Sequence, residues 1–406
     1  MAVRFGAFLD LKKKKTRGKR WCLCVICLSF ERNYISQQAP CFSCGRRTPC
    51  LPASRCFRAG RGALGMFGLS LRRVVRARGR LRAHSTTPPA WYHLLNLKKV
   101  DKSMGETPNK ISYLKPLKSL EPDSLLKLLK TSIIHADGTL VAINKPCGIP
   151  ISGKPEDLTL QSVLPQLSQN LNLPQDLQVI KAPEKEGSGL VLLSSCPKTT
   201  QYIQDFYSQR KKKKHPVATY CAVTTRTPAA MEGEIHIGLK MVDIDSFDLV
   251  VPVTSPSRKN LQTKEVKKTL TYYKVLDSKD GCALLQLQPV TTFRNQMQVH
   301  LTQILSPVLG DHVYSSRVGT VLGEPFLMPA EETPPRTQVL EEHLMQKLRL
   351  RQQVMFRLQL HLHLHQLLLP DGCCSSRTLL VAPPPPFFLQ TLCHLGLNLP
   401  PMSSKQ

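Results

Sequence analysis

The sequence lacks long apolar runs: no stretch of about 18 or more apolar residues occurs among its 406 positions. A helix that crosses a bilayer needs such a stretch, so the sequence predicts no membrane span. Acidic residues are also scarce, with 28 Asp+Glu against 56 Lys+Arg. The apolar fraction of 41% is nevertheless too high for a wholly disordered chain. A folded part with an apolar core is therefore expected.

The shortage of acidic residues is concentrated in one part of the chain. Residues 1–100 contain 22 Lys+Arg and 2 acidic residues, and residues 32–100 contain no acidic residue at all. Residues 101–406 contain 34 Lys+Arg and 26 acidic residues, a net charge of +8. A moderately basic folded part suits a polyanionic partner such as RNA.

The acid-free region contains a segment that is typical of mitochondrial targeting. From Met66 the sequence MFGLSLRRVVRARGRLRAHSTT combines six arginines with apolar, Ser and Thr residues, which is the composition of a transit peptide. We interpret residues 66–88 as a mitochondrial transit peptide and residues 1–65 as a disordered upstream extension of the gene model. Residues 89–121 then form a linker before a domain at 122–400. The expected location is the mitochondrial matrix.

The cysteine residues show no spacing pattern that is typical of a disulfide-stabilised secreted domain. Seven of the 14 cysteines lie in the first 56 residues and the other seven are scattered, which favours a reducing compartment. Within the first group, Cys24 and Cys27 form one CxxC pair and Cys41 and Cys44 form another. Four thiolates at this spacing could hold zinc. Zinc in residues 1–65 stays an alternative, together with a nuclear signal in the adjacent lysine run.

Apolar runs of strand length follow one another through residues 122–400, including TLVAIN, GLVLLSS, TYCAV, FDLVVPV, LTYYKVL and CALLQLQPV. Helical patterns are fewer and include LLKLLK, which Asp123 or Ser124 could cap, and TTQYIQDFYSQR. Long runs of strands with few helices predict an α+β fold with a mostly antiparallel sheet.

Four ordered motifs carry a resemblance to a known family. LVAINKPCGIPISG is followed by GSGLVLLSS, then by TYCAV and then by QMQVHLTQILSPVLGDHVY. This order and spacing resembles the RluA/RsuA-type RNA pseudouridine synthases. The resemblance implies a central, mostly antiparallel sheet with flanking helices and an RNA-binding cleft. The implied reaction detaches uracil from ribose, turns it and rejoins it through carbon 5, without metal or cofactor, and the implied partner is RNA.

The resemblance also implies catalytic residues, with two departures. Where the family has HRLDxxTSGL, residues 181–190 read KAPEKEGSGL, which places Glu184 at the position of the catalytic Asp. Where the family has RTHQIRVHL, residues 293–301 read FRNQMQVHL, so the Arg that pairs with that Asp has become Gln298. On an extended strand Arg294 would lie about 13 Å from Gln298 and would not replace the missing cation.

Further expected site residues lie in the other motifs. Tyr220 matches the active-site Tyr of the family, which stacks on the target base and could accept the proton from carbon 5. Lys145, in the NKPxG motif, and Gln298 are expected to contact RNA. A basic run that precedes the Tyr220 strand is expected to bind RNA phosphates from a loop: Lys211, Lys212, Lys213 and Lys214. A solvated loop is the alternative for this run.

Three histidines alternate near the C-terminus, at positions 361, 363 and 365. On a strand they would share one face, but no fourth zinc ligand is evident, so no metal is expected.

Three functional interpretations remain open. The first is a mitochondrial RNA pseudouridine synthase that acts on mRNA or rRNA. The second is a catalytically impaired RNA-binding scaffold of the same fold that aids mitochondrial RNA maturation or ribosome assembly, as the changes at positions 184 and 298 would allow. The third is a nuclear zinc protein that uses residues 1–65.

Overall fold

In a computed structural model of the protein, residues 121–373 and 378–400 are described. The transit peptide, the linker, the CxxC pairs and the N-terminal lysine run that the sequence predicts lie outside these residues.

Within the described residues the chain forms seven α-helices and 13 strands. The helices are α1 (Pro122–Thr131), α2 (Leu160–Asn170), α3 (Pro197–Lys212), α4 (Arg258–Gln262), α5 (Gln296–Gln303), α6 (Glu342–Leu348) and α7 (Pro386–Leu395). The strands are β1 (Ile133–Asp137), β2 (Leu140–Lys145), β3 (Gln178–Lys181), β4 (Ser188–Ser194), β5 (Ala218–Thr224), β6 (Glu232–Ile244), β7 (Phe247–Val253), β8 (Lys267–Lys279), β9 (Cys282–Pro289), β10 (Val318–Val321), β11 (Glu324–Leu327), β12 (Leu362–Leu368) and β13 (Leu379–Val381). None of these helices has the length and apolar character of a membrane-spanning helix.

One large sheet organises these elements. Its strand order is β1-β2-β4-β12-β5-β9-β8-β6-β7, with β3 on β4 and β13 on β12. All of these neighbours are antiparallel except β4 and β12. The strands β10 and β11 form a separate hairpin. The predicted α+β class with a mostly antiparallel sheet is therefore confirmed.

The central strands are apolar because both of their faces are covered. Residues alternate in strands β2 and β4, so that Val141 and Val191 pack beside α1 and α2, whereas Ala142 and Leu192 face the cluster that contains Tyr220. The six strand-like runs that the sequence predicts all coincide with strands. The polar strand β6 and the helix α2 were not predicted.

The start of helix α1 differs from the predicted one. Glu121 is the N-cap residue and no side chain caps the helix, whereas Pro122 takes the first helical position. Asp123 and Ser124 therefore lie inside the first turn. Proline suits this position because its missing N–H would have no partner there.

Two glycines allow the close contacts that shape the site. Gly189 has φ +115° and faces β12 so closely that a Cβ would lie 2.3 Å from the Leu364 carbonyl oxygen. Gly310 has φ +84°, and a Cβ there would lie 2.1 Å from the Gln359 carbonyl oxygen. Only glycine fits both the backbone conformation and the space at these positions. The first contact brings the segment before β4 against the centre of the sheet.

Candidate active site

Glu184 lies on the segment between β3 and β4, where the family resemblance places the catalytic carboxylate. The side chain is half-buried. Its segment is closed by a turn in which the Gly187 N–H donates to the Glu184 carbonyl oxygen at 3.1 Å. The carboxylate is therefore attached to an ordered turn and not to a long surface loop.

Lys145 holds the segment that carries Glu184 in place through hydrogen bonds to its backbone. Its side chain has no exposed surface, and its Nζ donates to the carbonyl oxygens of Lys185 at 3.1 Å and Gly187 at 2.7 Å. Two further carbonyl oxygens, of Pro146 and Ile149, also accept from Nζ. Burial lowers the pKa of Lys145 to about 8. Lys145 thus directs its ammonium group to backbone carbonyl oxygens of the protein, and its contact with RNA stays a prediction.

Asn295 binds both oxygens of the Glu184 carboxylate. Its backbone N–H donates to Oε1 at 2.6 Å and its side-chain Nδ2 donates to Oε2 at 2.9 Å. Asn295 is the N-cap residue of α5 and has left-handed backbone angles, φ 51° and ψ 23°, which asparagine tolerates better than most residues. The carboxylate thus receives two parallel hydrogen bonds at the positive end of a helix.

Gln298 reaches Glu184 only through Asn295. Asn295 Nδ2 also donates to Gln298 Oε1 at 2.9 Å, and Gln298 Nε2 donates to Asp311 Oδ1 at 3.4 Å. Gln298 is 5% exposed and both ends of its amide are engaged within the protein, and its contact with RNA stays a prediction.

The hydrogen bonds fix the direction of both amides. The Tyr314 hydroxyl donates to Asn295 Oδ1 at 3.4 Å, which leaves Asn295 Nδ2 to face the carboxylate. A reversed amide would put an oxygen against Glu184. We call Glu184, Asn295, Gln298, Asp311 and Tyr314 the carboxylate network. Each amide in it directs its N–H groups toward a carboxylate.

The electrostatics of the network follow from burial and from Arg294. Burial raises the pKa of Glu184 above its ordinary value, and the Asn295 N–H and then the positive charge of Arg294 act in the opposite direction. Residues 296–303 form helix α5 and not the predicted strand, so the expected separation of Arg294 and Gln298 along a strand is wrong. Arg294 is 58% exposed and also lies 3.9 Å from the Asp248 carboxylate. It supplies a positive charge near Glu184 from the solvent side.

Asp311 closes the network at its buried end. Its Oδ1 accepts the backbone N–H groups of Val313 at 3.0 Å and Tyr314 at 3.1 Å. Its Oδ2 is buried without a hydrogen-bond partner among the described residues. Burial raises the pKa of this carboxyl above its ordinary value. Asp311, which follows Gly310 in the last of the four motifs, thus shapes the segment that carries Tyr314.

Tyr220 lies on β5 beside the carboxylate network, with 4% of its surface exposed. Burial, and then the charge of Glu184, raise the pKa of Tyr220 above its ordinary value. The structure therefore brings the two predicted catalytic residues into electrostatic contact. It also makes the Tyr220 phenol hard to ionise.

The sequence predicts a loop for the lysine run, but the run begins in the last turn of α3. Lys211 and Lys212 lie in the last turn of α3, Lys213 is the C-cap residue, and Lys214 has φ 58°. All four are exposed. Burial and then the charge of Lys211 lower the pKa values of Lys181 and Lys267, two lysines that the sequence did not indicate. Lys211 thus differs from Lys212, Lys213 and Lys214 in its effect on these two lysines.

The three C-terminal histidines are buried and satisfied by hydrogen bonds. His361 contacts the Thr391 hydroxyl at 2.8 Å, and both His363 and His365 contact the Ala382 carbonyl oxygen, at 3.1 and 2.7 Å. Burial lowers the pKa of His361 and His365 to about 4 and that of His363 to about 3. No group of side chains that could hold a metal ion occurs among the described residues.

Sequence reasoning missed several residues of the site, above all Asn295, Tyr314, Lys181 and Lys267. Asn295 lay inside a quoted motif, where its replacement of the family's His was the available signal. Tyr314 belongs to the GDHVY end of the last motif. Lys181 and Lys267 carried no signal, because their positions relative to Glu184 depend on the packing of distant segments.

Comparison with known proteins agrees with this geometry. Residues 139–303 match the family model for RNA pseudouridylate synthase. The chain is 51% identical over 284 residues to the human mitochondrial mRNA pseudouridine synthase RPUSD3, which covers 70% of this chain and 81% of the relative. It is 32% identical to the mouse mitochondrial pseudouridylate synthase RPUSD4, over 71% of this chain and 76% of the relative.

A solved structure supports the same conclusion. The human RNA pseudouridylate synthase domain containing 4 superposes with a TM-score of 0.55 at 29% identity, over 69% of this chain and 98% of the other. The predicted fold and the predicted enzyme class, an RNA pseudouridine synthase, are confirmed by these matches. The chain belongs to the RNA pseudouridylate synthase family.

Proposed function

We propose that this chain converts a uridine of mitochondrial mRNA or rRNA to pseudouridine in the mitochondrial matrix, with Glu184 as the nucleophile. The observation that carries the proposal is the carboxylate of Glu184, which accepts two hydrogen bonds from Asn295 at the position of the family's catalytic residue. The name of the human relative, a mitochondrial mRNA pseudouridine synthase, supports mRNA as the substrate.

Glu184 adds to the nucleoside in its ionised form, since only a carboxylate is a nucleophile. Addition to ribose carbon 1′ forms an ester bond to Glu184 as the bond between carbon 1′ and uracil nitrogen 1 breaks. The base turns, its carbon 5 attacks carbon 1′, and the ester bond breaks to release the free Glu184 carboxylate. Carbon 5 then releases its proton and nitrogen 1 gains one, so that no atom is added or lost. Uracil in structured RNA must first leave its stack to reach a half-buried carboxylate.

Asn295 takes the part of the family's guanidinium in this proposal. A guanidinium offers two parallel N–H groups to a carboxylate, and Asn295 offers the same pair from its backbone and its side chain. The pair is neutral, so it orients the carboxylate but keeps it ionised less strongly than a cation would. Arg294 adds the missing positive charge from a greater distance.

Tyr220 serves in this proposal as a wall for the uracil ring. An aromatic ring next to the carboxylate offers a stacking surface for any base. Its raised pKa disfavours the phenolate, which argues against Tyr220 as a base before RNA is bound.

The scaffold alternative rests on a specific observation. Burial is the largest influence on Glu184 and raises its pKa, and the side chain at position 298 brings no cation to it. A carboxylate that is protonated for much of the time would bind RNA without efficient chemistry.

The test uses the purified chain and a uridine-containing RNA, with pseudouridine mapped by sequencing and RNA binding measured in parallel. We expect the wild type to form pseudouridine, and both Glu184→Ala and Glu184→Gln to abolish it while RNA binding persists. Glu184→Gln keeps the shape of the side chain, so its loss of activity would isolate the role of the charge. Turnover that survives both substitutions would overturn the assignment of Glu184.

The matched control is Glu186→Gln, which removes a carboxylate two residues away on the same segment, where Glu186 is 64% exposed and lies near Lys185. We expect it to leave pseudouridine formation unchanged. A wild type that binds RNA without forming pseudouridine would favour the scaffold.

The division of the chain belongs to the same proposal. Residues 66–88 act as the transit peptide, 89–121 as a linker and 122–400 as the pseudouridine synthase-like domain, with 1–65 as an upstream extension. The Arg-rich, acid-free composition of residues 66–88 supports this division.

A further inference from the structure

Two lysines from separate elements meet at Thr292, and the charge of a third acts on both of them. Lys181 is the last residue of β3, Lys211 lies in the last turn of α3 and Lys267 is the first residue of β8. Lys181 Nζ donates to the Thr292 hydroxyl at 3.2 Å, and Lys267 Nζ donates to the Thr292 carbonyl oxygen at 2.8 Å. The two ammonium groups therefore contact the same exposed residue.

These positive charges repel one another. Burial and then the charge of Lys211 lower the pKa of Lys181, and the same two causes lower the pKa of Lys267. Within the described part of the chain, none of the three ammonium groups forms an ion pair with a carboxylate. A protein surface that gathers cations without a counterion is suited to an external anion.

The lysines stand next to the catalytic carboxylate. Lys181 precedes Glu184 by three residues, and Thr292 precedes Asn295 by three residues, a span of at most about 11 Å in each case. The two segments touch at both ends, through Lys181 with Thr292 and through Glu184 with Asn295. An anion bound over Thr292 thus lies about one nucleotide from a base held at Glu184.

We infer that Lys181, Lys211 and Lys267 form a binding subsite for a backbone phosphate of the RNA substrate, next to the nucleotide that enters the Glu184 site. The inference rests on the proposed function for the identity of the anion as RNA. The subsite differs from a general basic surface because two of its lysines are oriented by hydrogen bonds to the same threonine. Lys212, Lys213 and Lys214 then serve mainly to stabilise the carboxyl end of α3.

The test measures binding of a fluorescent single-stranded oligouridylate RNA to the full chain over a range of salt concentrations. The triple variant Lys181→Gln, Lys211→Gln, Lys267→Gln is expected to lower the slope of log affinity against log salt by about 0.7, the contribution of one phosphate contact on a single strand. The matched control is Lys268→Gln, which removes an exposed charge next to Lys267 on the opposite face of β8. It should leave the slope unchanged.

A second measurement separates binding from structure. If the lysines only stabilise the fold, the triple variant should unfold at a lower temperature than the wild type. If they form an anion subsite, removing their repulsion should leave the unfolding temperature unchanged or raise it, and Lys→Arg at the same three positions should restore the salt slope. Equal slopes for the triple variant and Lys268→Gln would overturn the inference.

This outcome is independent of the chemistry. A chain that forms no pseudouridine but shows the expected loss of slope would keep the subsite and lose the proposed activity. A chain that forms pseudouridine with an unchanged slope in the triple variant would keep the activity and lose the subsite.

Discussion

The carboxylate network and the histidine cluster of β12 are both buried groups of polar side chains, but they are built differently. In the carboxylate network, Glu184 is half-buried and Asp311 is buried, and Asp311 Oδ2 has no hydrogen-bond partner among the described residues. In the histidine cluster, His361, His363 and His365 are neutral rings whose hydrogen bonds end on carbonyl and hydroxyl oxygens. The first arrangement leaves one buried carboxylate oxygen without a hydrogen bond, whereas the second is satisfied and contributes to the core.

The surroundings of the two clusters differ in the same sense. An exposed cation, Arg294, lies near the Glu184 carboxylate of this network. The histidine cluster contacts the rings of Phe387 and Phe388 instead. Burial alone therefore does not distinguish a reactive site from a core, but the presence of a charge with access to solvent does.

The sharpest test of this contrast removes one of the two hydrogen bonds that Asn295 donates to the Glu184 carboxylate. Asn295→Gly deletes the Nδ2 donor but keeps the backbone N–H and suits the left-handed conformation. We expect a loss of roughly 10²-fold in kcat, the scale for one preorganised donor to a reacting group. Because the lost donor favours the ionised form, the pKa of Glu184 should rise further, so the acid limb of kcat/KM should move to higher pH.

The matched control for this substitution is Asn172→Gly, since Asn172 has φ 52° and is exposed beyond the end of α2. It should leave kcat and the pH profile unchanged. An unchanged kcat for Asn295→Gly would show that the backbone N–H alone positions the carboxylate.

The histidine cluster should appear in the pH dependence of stability and not in the rate. In the folded chain the pKa of His363 is about 3, below its ordinary value of 6.5, so the unfolded chain binds more protons between these values. Stability is then fully present above pH 6.5 and falls as the pH is lowered through this window, by up to about 1.4 kcal/mol per pH unit for each such histidine.

His363→Gln removes one of these protonation sites and should flatten the fall in the free energy of unfolding, measured by denaturant titration at several pH values. The matched substitution outside the core is His343→Gln, on the exposed surface of α6. Of these two substitutions, only the one at position 363 should change the slope. An equal slope for wild type and His363→Gln would contradict the view that this ring is buried and neutral.

A smaller effect is expected from the residue that orients Asn295. Tyr314→Phe removes the hydroxyl that donates to Asn295 Oδ1 at 3.4 Å and accepts the Val250 N–H at 3.2 Å. The loss of one such hydrogen bond, on the order of 1 kcal/mol, corresponds to a decrease in kcat of about 5-fold. A decrease in KM without a change in kcat would show instead that Tyr314 restricts access of the RNA.

The fold was predictable from the sequence wherever a strand is buried on both faces. The runs that became β2, β4 and β5 are continuously apolar, and such runs have few alternatives to a central strand. The strand β6 was missed because polar residues interrupt its apolar pattern and six of its 13 residues are exposed. Helix α5 was read as a strand because its eight residues are nearly all buried, so that no amphipathic period marks it.

Sequence by itself predicts Glu184 at the position of the family's nucleophile, because an ungapped motif aligns it without reference to structure. It also predicts that the cation of the family's Arg is missing at position 298. The partner that replaces this cation was decided only by tertiary structure. Asn295 lies 111 residues from Glu184 along the chain, and a contact over such a distance depends on how two segments pack against the sheet. The burial of Lys145 and the meeting of Lys181 and Lys267 at Thr292 follow from the same cause, since the sequence records a charge but not whether the fold turns it inward or outward.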